Sequence, residues 1–478
     1  MAHPNVLLIC VDHWPGGLMS GAGNPCITTP TLDQLARNGV RFTRAYAATP
    51  SCIPARRALM TGTEARTHGD RVFNETRRMP QLPTLADCFT RAGYQAYAVG
   101  KLHVYPQRDR IGFQDVLSNE EGRHHLGLGA DDYELFLAEQ GFAGQELTHG
   151  MSNNTYMTRP WHLPEYCHPT NWTAREMSRM IRRRDRDRPA FWYMSFNHPH
   201  PPLAPLAEYM DLYAHVDIPL PRAGAWSEDV KKLPYGLKHM RGRRPPVNDM
   251  EHLQALRSFY AQCTHIDHQI RLVLGLIREE GLMDDTMVMF TCDHGDMLGA
   301  HHLFAKPFGF DPSARIPMLL MPTAGDTRVG HHRVDDRLVE LRDVMPTLLD
   351  LAGVEIPDSV EGISLATDAR RDALYCEHSE NESSWRMIRE QRYKLLWYPV
   401  GNRVLLFDME ADPLELDDRA DDAPLSDVRQ RLTAKLIENL WGDDHKWVDD
   451  GRLVGEANMD YQPLPDRRFS GQRGQRYL

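Results

Sequence analysis

The chain has 478 residues, of which 41% are hydrophobic and 25% charged, with a formal net charge of -11. That balance is ordinary for a globular protein, and the length allows more than one core. It excludes a general nucleic-acid binder, which carries a basic excess, but leaves room for a small anionic substrate held by local cations.

The apolar run at residues 6–11 is too short to span a membrane and lacks the basic start and cleavage region of a signal peptide. This predicts a cytoplasmic protein with no membrane association. Eight cysteines, spread singly along the chain, predict reduced thiols and no disulfide framework. Residues 5–11 read as the first buried strand. Residues 31–38 read as a helix stopped by Gly39, and residues 82–92 repeat that design with Gly93 as the stop, before a strand at 95–99. Further central strands are expected at 191–196 and 286–291, with a long helical periodicity at 252–280 between them. Short apolar runs alternating with helical patterns predict an α/β fold, a mostly parallel sheet with helices on both faces. No internal pattern reveals how the insertion between Gln107 and Arg188 folds.

Beyond about residue 365 the texture changes. Residues 385–398 and 403–409 read as the strands of a hairpin, with Gly401 and Asn402 in its turn, and an acidic stretch at 412–422 precedes a helix at 424–440. Three regions are expected: a main α/β domain at 1–365, a smaller α+β domain at 366–460, and a tail at 461–478. The tail is either disordered or an arm that docks on another subunit of a homo-oligomer.

The residues with chemical promise follow the predicted strands: Asp12, then Lys101 and His103, then His198 and His200, then Asp293 and His294. Ligands of open α/β sheets bind at the carboxyl ends of strands, so these segments predict one active site. Asp12 and Asp293 leave buried strands, where an unpaired charge is costly. Brought together they make a hard oxygen site suited to Ca²⁺, Mg²⁺ or Mn²⁺, with His13 and His294 able to add a nitrogen ligand. Each aspartate could instead cap a following turn. In the run from Pro50 to Gly62, Cys52 lies one turn before the fixed cation Arg56, and Pro54 suits the first turn of a helix. Cys52 would sit at the positive end of that helix dipole, where an anionic ligand is favoured. Asn74 offers an amide to a substrate or metal sphere, or else only holds its loop. Taken singly, Lys101 and Lys306 also fit solvated lysines, and His198 fits a turn-stabilising hydrogen bond.

The string Cys52-Ile53-Pro54-Ala55-Arg56 resembles the signature of the sulfatase family. The run from Cys292 to Gly299, followed by His301, His302 and Lys306, is similar to the family's second long signature. Gly100-Lys101-Leu102-His103 resembles its G-K-x-H segment, and His198-Pro199-His200-Pro201-Pro202 its H-x-P-H-x-P segment. Residues 5–12 resemble the N-terminal metal strand and residues 343–353 a helix late in the main domain, so the likeness covers nearly the whole chain.

The resemblance implies an alkaline-phosphatase-like α/β fold, with a large mixed, mostly parallel sheet sandwiched by helices, and hydrolysis of the sulfate ester of a small anionic substrate. It implies that a formylglycine-generating, sulfatase-maturing enzyme converts Cys52 to formylglycine. The hydrated aldehyde is a geminal diol, one oxygen of which contacts a divalent ion (Ca²⁺, alternatively Mg²⁺ or Mn²⁺) and attacks sulfur. The alcohol leaves, and the second hydroxyl then expels sulfate from the covalent sulfated intermediate. By the same resemblance Arg56 holds the diol, and Arg56, Lys101 and Lys306 neutralise charge on the sulfuryl and bridging oxygens. His103 partners the diol hydroxyl, and His200, with His198 beside it, meets the leaving-group oxygen as donor or acid.

Two departures stand out. Many sulfatases carry two consecutive aspartates where this chain has Asp12-His13, and many have asparagine where it has His294. Both changes resemble the branch that includes phosphonate monoester and phosphodiester hydrolases and some broad-specificity arylsulfatases. Three readings follow: a sulfuric ester hydrolase, a phosphonate monoester or phosphodiester hydrolase using the same site, and a non-catalytic anion-binding relative with unmodified Cys52. A mere binder has no need of Arg56, Lys101, His103, His200, Asp293 and Lys306 together, and sulfate ester is the expected substrate.

Overall fold

Strands buried on both faces set the architecture. The computed structural model describes residues 3–461 apart from 122, 124–125, 127–128, 152–155 and 243–247, so the expected tail beyond Tyr461 lies outside the described residues. The main sheet has eight strands: β1 (Asn5–Val11), β2 (Val40–Tyr46), β3 (Gln95–Gly100), β4 (Asp115–Ser118), β5 (Ala190–Ser195), β6 (Thr286–Cys292), β7 (Arg315–Met321) and β8 (Arg333–Glu340). Their order across the sheet is β4-β3-β5-β1-β6-β7-β2-β8. β1 pairs in parallel with β5 and β6, while β7 runs antiparallel to both β6 and β2. In β1, β5 and β6 nearly every residue is buried, as expected where helices cover both faces of a parallel sheet.

Helices occur at Pro30–Arg37, Leu85–Arg91 and Asp249–Glu279, within a few residues of the predicted spans. Asn248 caps the last of these by accepting from Glu251 N at 2.9 Å. Asp267, buried in that same helix, accepts from Thr31 N and Leu32 N at 3.0 and 2.8 Å and so caps the Pro30–Arg37 helix from a distance. Among the described residues, no helix is long and apolar enough to cross a membrane.

A second, antiparallel sheet contains β9 (Leu374–His378), β10 (Trp385–Arg389), β11 (Tyr393–Tyr398) and β12 (Arg403–Asp408), in the order β12-β11-β10-β9. The stretch at 385–398, expected as one strand, is therefore two. Glu390 N donates to Tyr393 O at 2.9 Å across the turn that parts them. No glycine or proline marks that turn, so pattern alone passed over it. Helix Ser426–Asn439 covers one face, with Leu432 and Leu436 against Ile388, Leu395, Trp397 and Leu406. The other face packs Trp385, Met387, Leu396 and Phe407 onto Phe308, Phe310 and Ala314 of the main region.

A polar joint reinforces that packing. Lys394, fully buried on β11, donates to Asp311 at 2.5 Å, Glu415 at 2.7 Å and Gly309 O at 3.2 Å. Replacing it with methionine leaves Glu415 buried without its cation, while Asp311 keeps Arg315 at 3.0 Å, and should cost about 3–5 kcal/mol. Urea unfolding of Lys394→Met measures this; a loss below about 1 kcal/mol contradicts the account.

Buried histidines make a second prediction. Burial pushes His68, His265 and His378 down from 6.5 to about 3, with Arg57, His198 and Arg386 respectively adding to the effect. The unfolded chain binds protons at these positions below about pH 6.5 while the folded chain does not, so stability falls as pH drops toward 3. Between about pH 7 and 5.5 each should remove about 1 kcal/mol, seen as a falling urea midpoint. A midpoint that stays level or rises over that interval contradicts the assignment.

Candidate active site

Asp12, Lys101, Glu121, His198 and Asp293 all follow strands whose carboxyl ends meet at one edge of the main sheet. Cys52 arrives there from β2, as the first residue of helix Cys52–Thr61. Ser51 makes no side-chain cap, so the positive end of that helix faces the edge uncapped. Asp12, Cys52, Asp293 and His294 place their ligand atoms within 4.8 Å of one another, all buried, and Asp12, His13 and His200 form an adjoining group.

The Cys52 Sγ lies 3.2 Å from His294 Nε2 and 3.8 and 3.9 Å from the two carboxylate oxygens of Asp12. His294 Nδ1 meets Gly295 O at 2.9 Å. A carbonyl only accepts, so the proton is on Nδ1 and the Nε2 lone pair is left for a ligand. Two carboxylates, an imidazole acceptor and residue 52 form a donor set that suits a hard or borderline divalent ion. Burial disfavours a charged Asp12, but Lys101, His200, His13 and Lys306 hold it well below the usual carboxylate range.

Arg56 organises the base of the site. Its Nε donates to Asp293 Oδ2 at 2.9 Å, and its Nη1 donates to Lys101 O at 2.8 Å, Ser195 Oγ at 2.8 Å and Tyr193 OH at 3.2 Å. Its Nη2 is buried with no hydrogen-bond partner among the described residues. Both ring nitrogens of His103 are in the same condition. These orphaned atoms are what a site built around an absent polar group should contain.

Lys101 is buried, not a solvated surface lysine, and donates to Asp12 at 2.5 Å and to Glu121 at 2.9 Å. Gly100 makes this turn possible, because at φ +105° a Cβ there would stand 1.8 Å from Ser195 O. Lys306 Nζ donates to His13 Nε2 at 2.5 Å, and His13 Nδ1 in turn donates to Asp296 at 2.8 Å. Burial and Lys306 keep His13 neutral, well below its ordinary value. His13 and His103 both have positive φ, 70° and 59°, a backbone strain that gathers at functional sites.

His200 Nδ1 donates to Pro201 O at 2.6 Å, and burial with Lys306 pushes the ring to about 3. In this neutral tautomer its Nε2 accepts, so the cationic donors beside the site are Lys101 and Lys306. His198, pushed to about 4 mainly by burial, has Nδ1 3.4 Å from Thr170 Oγ1. Asn74 is exposed and its Oδ1 accepts from Thr76 N and Oγ1 at 3.1 and 3.0 Å, so here it holds its loop. Its neighbour Phe73 is the side chain that reaches the site, 5.6 Å from the His103 ring. Trp14 and Trp192 are core, while Trp161 borders a recess with Asn119, Glu121, Asn197, His198 and His200.

Sequence reasoning did not single out Glu120 and Glu121, which follow the short edge strand β4. Glu120 accepts from Leu102 N at 2.8 Å and from His103 N at 2.9 Å, holding the strained segment in place. Two consecutive acids after a strand were the available signal, but β4 has only four residues and shows no clean alternation. Ser195, Tyr193 and Asp296 also went unassigned; each acts through Arg56 or His13.

The comparisons with known proteins fit this geometry. The sulfatase family model matches residues 4–354, and the model of the C-terminal part of N-sulphoglucosamine sulphohydrolase matches 299–440. An arylsulfatase of Clostridium perfringens is 35% identical over 470 residues, covering 94% of this chain and 97% of the relative. A choline-sulfatase of Rhizobium meliloti is 28% identical, covering 87% and 82% of the two chains. The crystal structure of the phosphonate monoester hydrolase of Agrobacterium radiobacter shares the fold, with a TM-score of 0.78, 24% identity, and 91% and 95% of the chains covered. The chain thus belongs to the sulfatase family and is a sulfuric ester hydrolase.

Proposed function

We propose that this chain hydrolyses sulfate esters with residue 52 as formylglycine and a divalent ion, Ca²⁺ or alternatively Mg²⁺ or Mn²⁺, held by Asp12, Asp293, His294 and the residue-52 oxygen. The observation that carries the reading is the convergence of those side chains within 4.8 Å at the open end of a helix. When bound, the ion supplies Lewis acidity and the hydrated aldehyde supplies two hydroxyls, one to attack and one to release product. The unmodified thiol suits the task poorly: burial, then Asp12, pushes it up to about 12, so it stays protonated at neutral pH.

The remaining roles belong to residues seen in place. Arg56, anchored to Asp293, turns its unpartnered Nη2 to an oxygen of residue 52 or of the ester. Lys101 and Lys306 neutralise charge on the sulfuryl and bridging oxygens. His103, whose ring nitrogens are free, takes a proton from the residue-52 hydroxyl. His200 and His198 border the recess that receives the leaving alcohol. The eight unpaired cysteines support a cytoplasmic location, where a sulfatase-maturing enzyme would act on the chain.

Phosphonate monoesters or phosphodiesters are a second reading, favoured by the neutral ring of His13 where a second carboxylate would add negative charge. The test uses enzyme matured in vivo and loaded with metal, assayed on matched aryl sulfate and aryl phosphonate esters. A higher kcat/KM on sulfate, lost with chelator and restored by a divalent ion, is expected. Phosphonate turnover without sulfate turnover overturns the first reading.

A further inference from the structure

Glu121 brings a negative charge to a site meant for anions. It follows β4 with φ 59°, accepts from Lys101 Nζ at 2.9 Å, and has its other oxygen 3.7 Å from His200 Nδ1. Unlike its neighbour Glu120, which backbone amides and Arg123 satisfy, Glu121 is 18% exposed and lines the recess beside His198 and His200. Ester hydrolysis has no evident need for a carboxylate there, and it repels the substrate's own charge.

The charge pattern around it suggests what it does. Arg56 is matched by Asp293, and Lys101 is shared between Asp12 and Glu121, while Lys306 rests on the His13 ring. Glu121 is thus the carboxylate of this set that lines the recess and is not assigned to the ion, and its loss would make the recess more positive by one charge. Sulfate monoesters and phosphonate monoesters carry a single negative charge, whereas phosphate monoesters carry nearly two above their second pKa. A surplus cation favours the dianion more than the monoanion, so withholding it discriminates by charge among esters of similar shape.

We propose that Glu121 is a specificity-determining residue that sets this site for singly charged esters and against dianionic phosphate monoesters. The inference rests on the reading of the site as an ester hydrolase and deepens it by naming the charge class of the substrate.

The test measures kcat/KM for nitrophenyl sulfate, nitrophenyl phenylphosphonate and nitrophenyl phosphate at about pH 8, where the last is a dianion. Wild type, Glu121→Gln and Glu121→Asp are compared as mature, metal-loaded enzymes. Glu121→Gln should lower the sulfate-to-phosphate ratio by at least about tenfold, or ~1.4 kcal/mol, and leave the sulfate-to-phosphonate ratio within about twofold. Glu121→Asp, which keeps the charge, should retain the wild-type ratios. A proportional loss on all three esters would make Glu121 a structural prop for Lys101 and overturn the proposal. So would phosphonate and phosphate turnover rising together, or Asp behaving like Gln. Failure of the sulfate reading looks different: wild type would then not hydrolyse sulfate, and the phosphonate-to-phosphate ratio would still report on Glu121.

Discussion

Cys52→Ala is expected to lower kcat by at least about 10⁴ while changing stability by no more than about 1–2 kcal/mol. The side chain is small, and its Sγ contacts the polar cluster of His294 and Asp12, so truncation removes little packing. What it removes is the nucleophile, and such losses are among the largest known for single residues. Cys52→Ser sharpens the prediction. A serine has one hydroxyl in place of the diol's two, so it can at most attack once and then cannot release sulfate by the second hydroxyl. It should release no more than one equivalent of alcohol per enzyme. Steady turnover by either variant, measured against urea-unfolding curves that show an intact fold, contradicts the assignment of residue 52.

Arg56→Met is expected to damage both fold and function. Arg56 is buried and anchors Asp293 through Nε and both the Lys101 carbonyl and Ser195 through Nη1. Its loss leaves Asp293 as a buried charge without its cation, at a cost of about 3–5 kcal/mol. The same change removes a preorganised cationic donor from the reacting oxygens, worth about 10²–10³ in kcat. Arg56→Lys keeps the charge, but a single ammonium cannot reproduce the planar fork, so it should recover part of the stability and little of the rate. Urea unfolding and steady-state kinetics on the same preparations separate the two effects. If Arg56→Met keeps wild-type stability, the pairing with Asp293 is not what holds this edge of the sheet together.

How much of this was legible in the sequence depended on where each residue sits. Asp12 and Asp293 could be placed because they follow β1 and β6, whose nearly continuous apolar runs mark central strands. The helix that carries Cys52 and Arg56 was legible from Pro54 and the residues after it. The edges were not. β2 alternates buried and half-buried residues through polar Arg41 and Thr43, and β4 is only four residues long, so neither stood out. Missing β4 meant missing Glu120 and Glu121. The support of His13 by Asp296 and Lys306 joins residues far apart in the chain, which periodicity does not report. Asn74 was open in the sequence between a ligand role and holding its loop, and its side chain folds back on Thr76, a local contact that polarity alone does not report.

The most direct measurement is mass spectrometry of the tryptic peptide spanning residues 45–56, taken from enzyme that is actively turning over aryl sulfate. The account predicts an aldehyde at position 52 in a fraction of molecules that rises and falls with specific activity. Full activity in a preparation whose peptide carries only the thiol would contradict it.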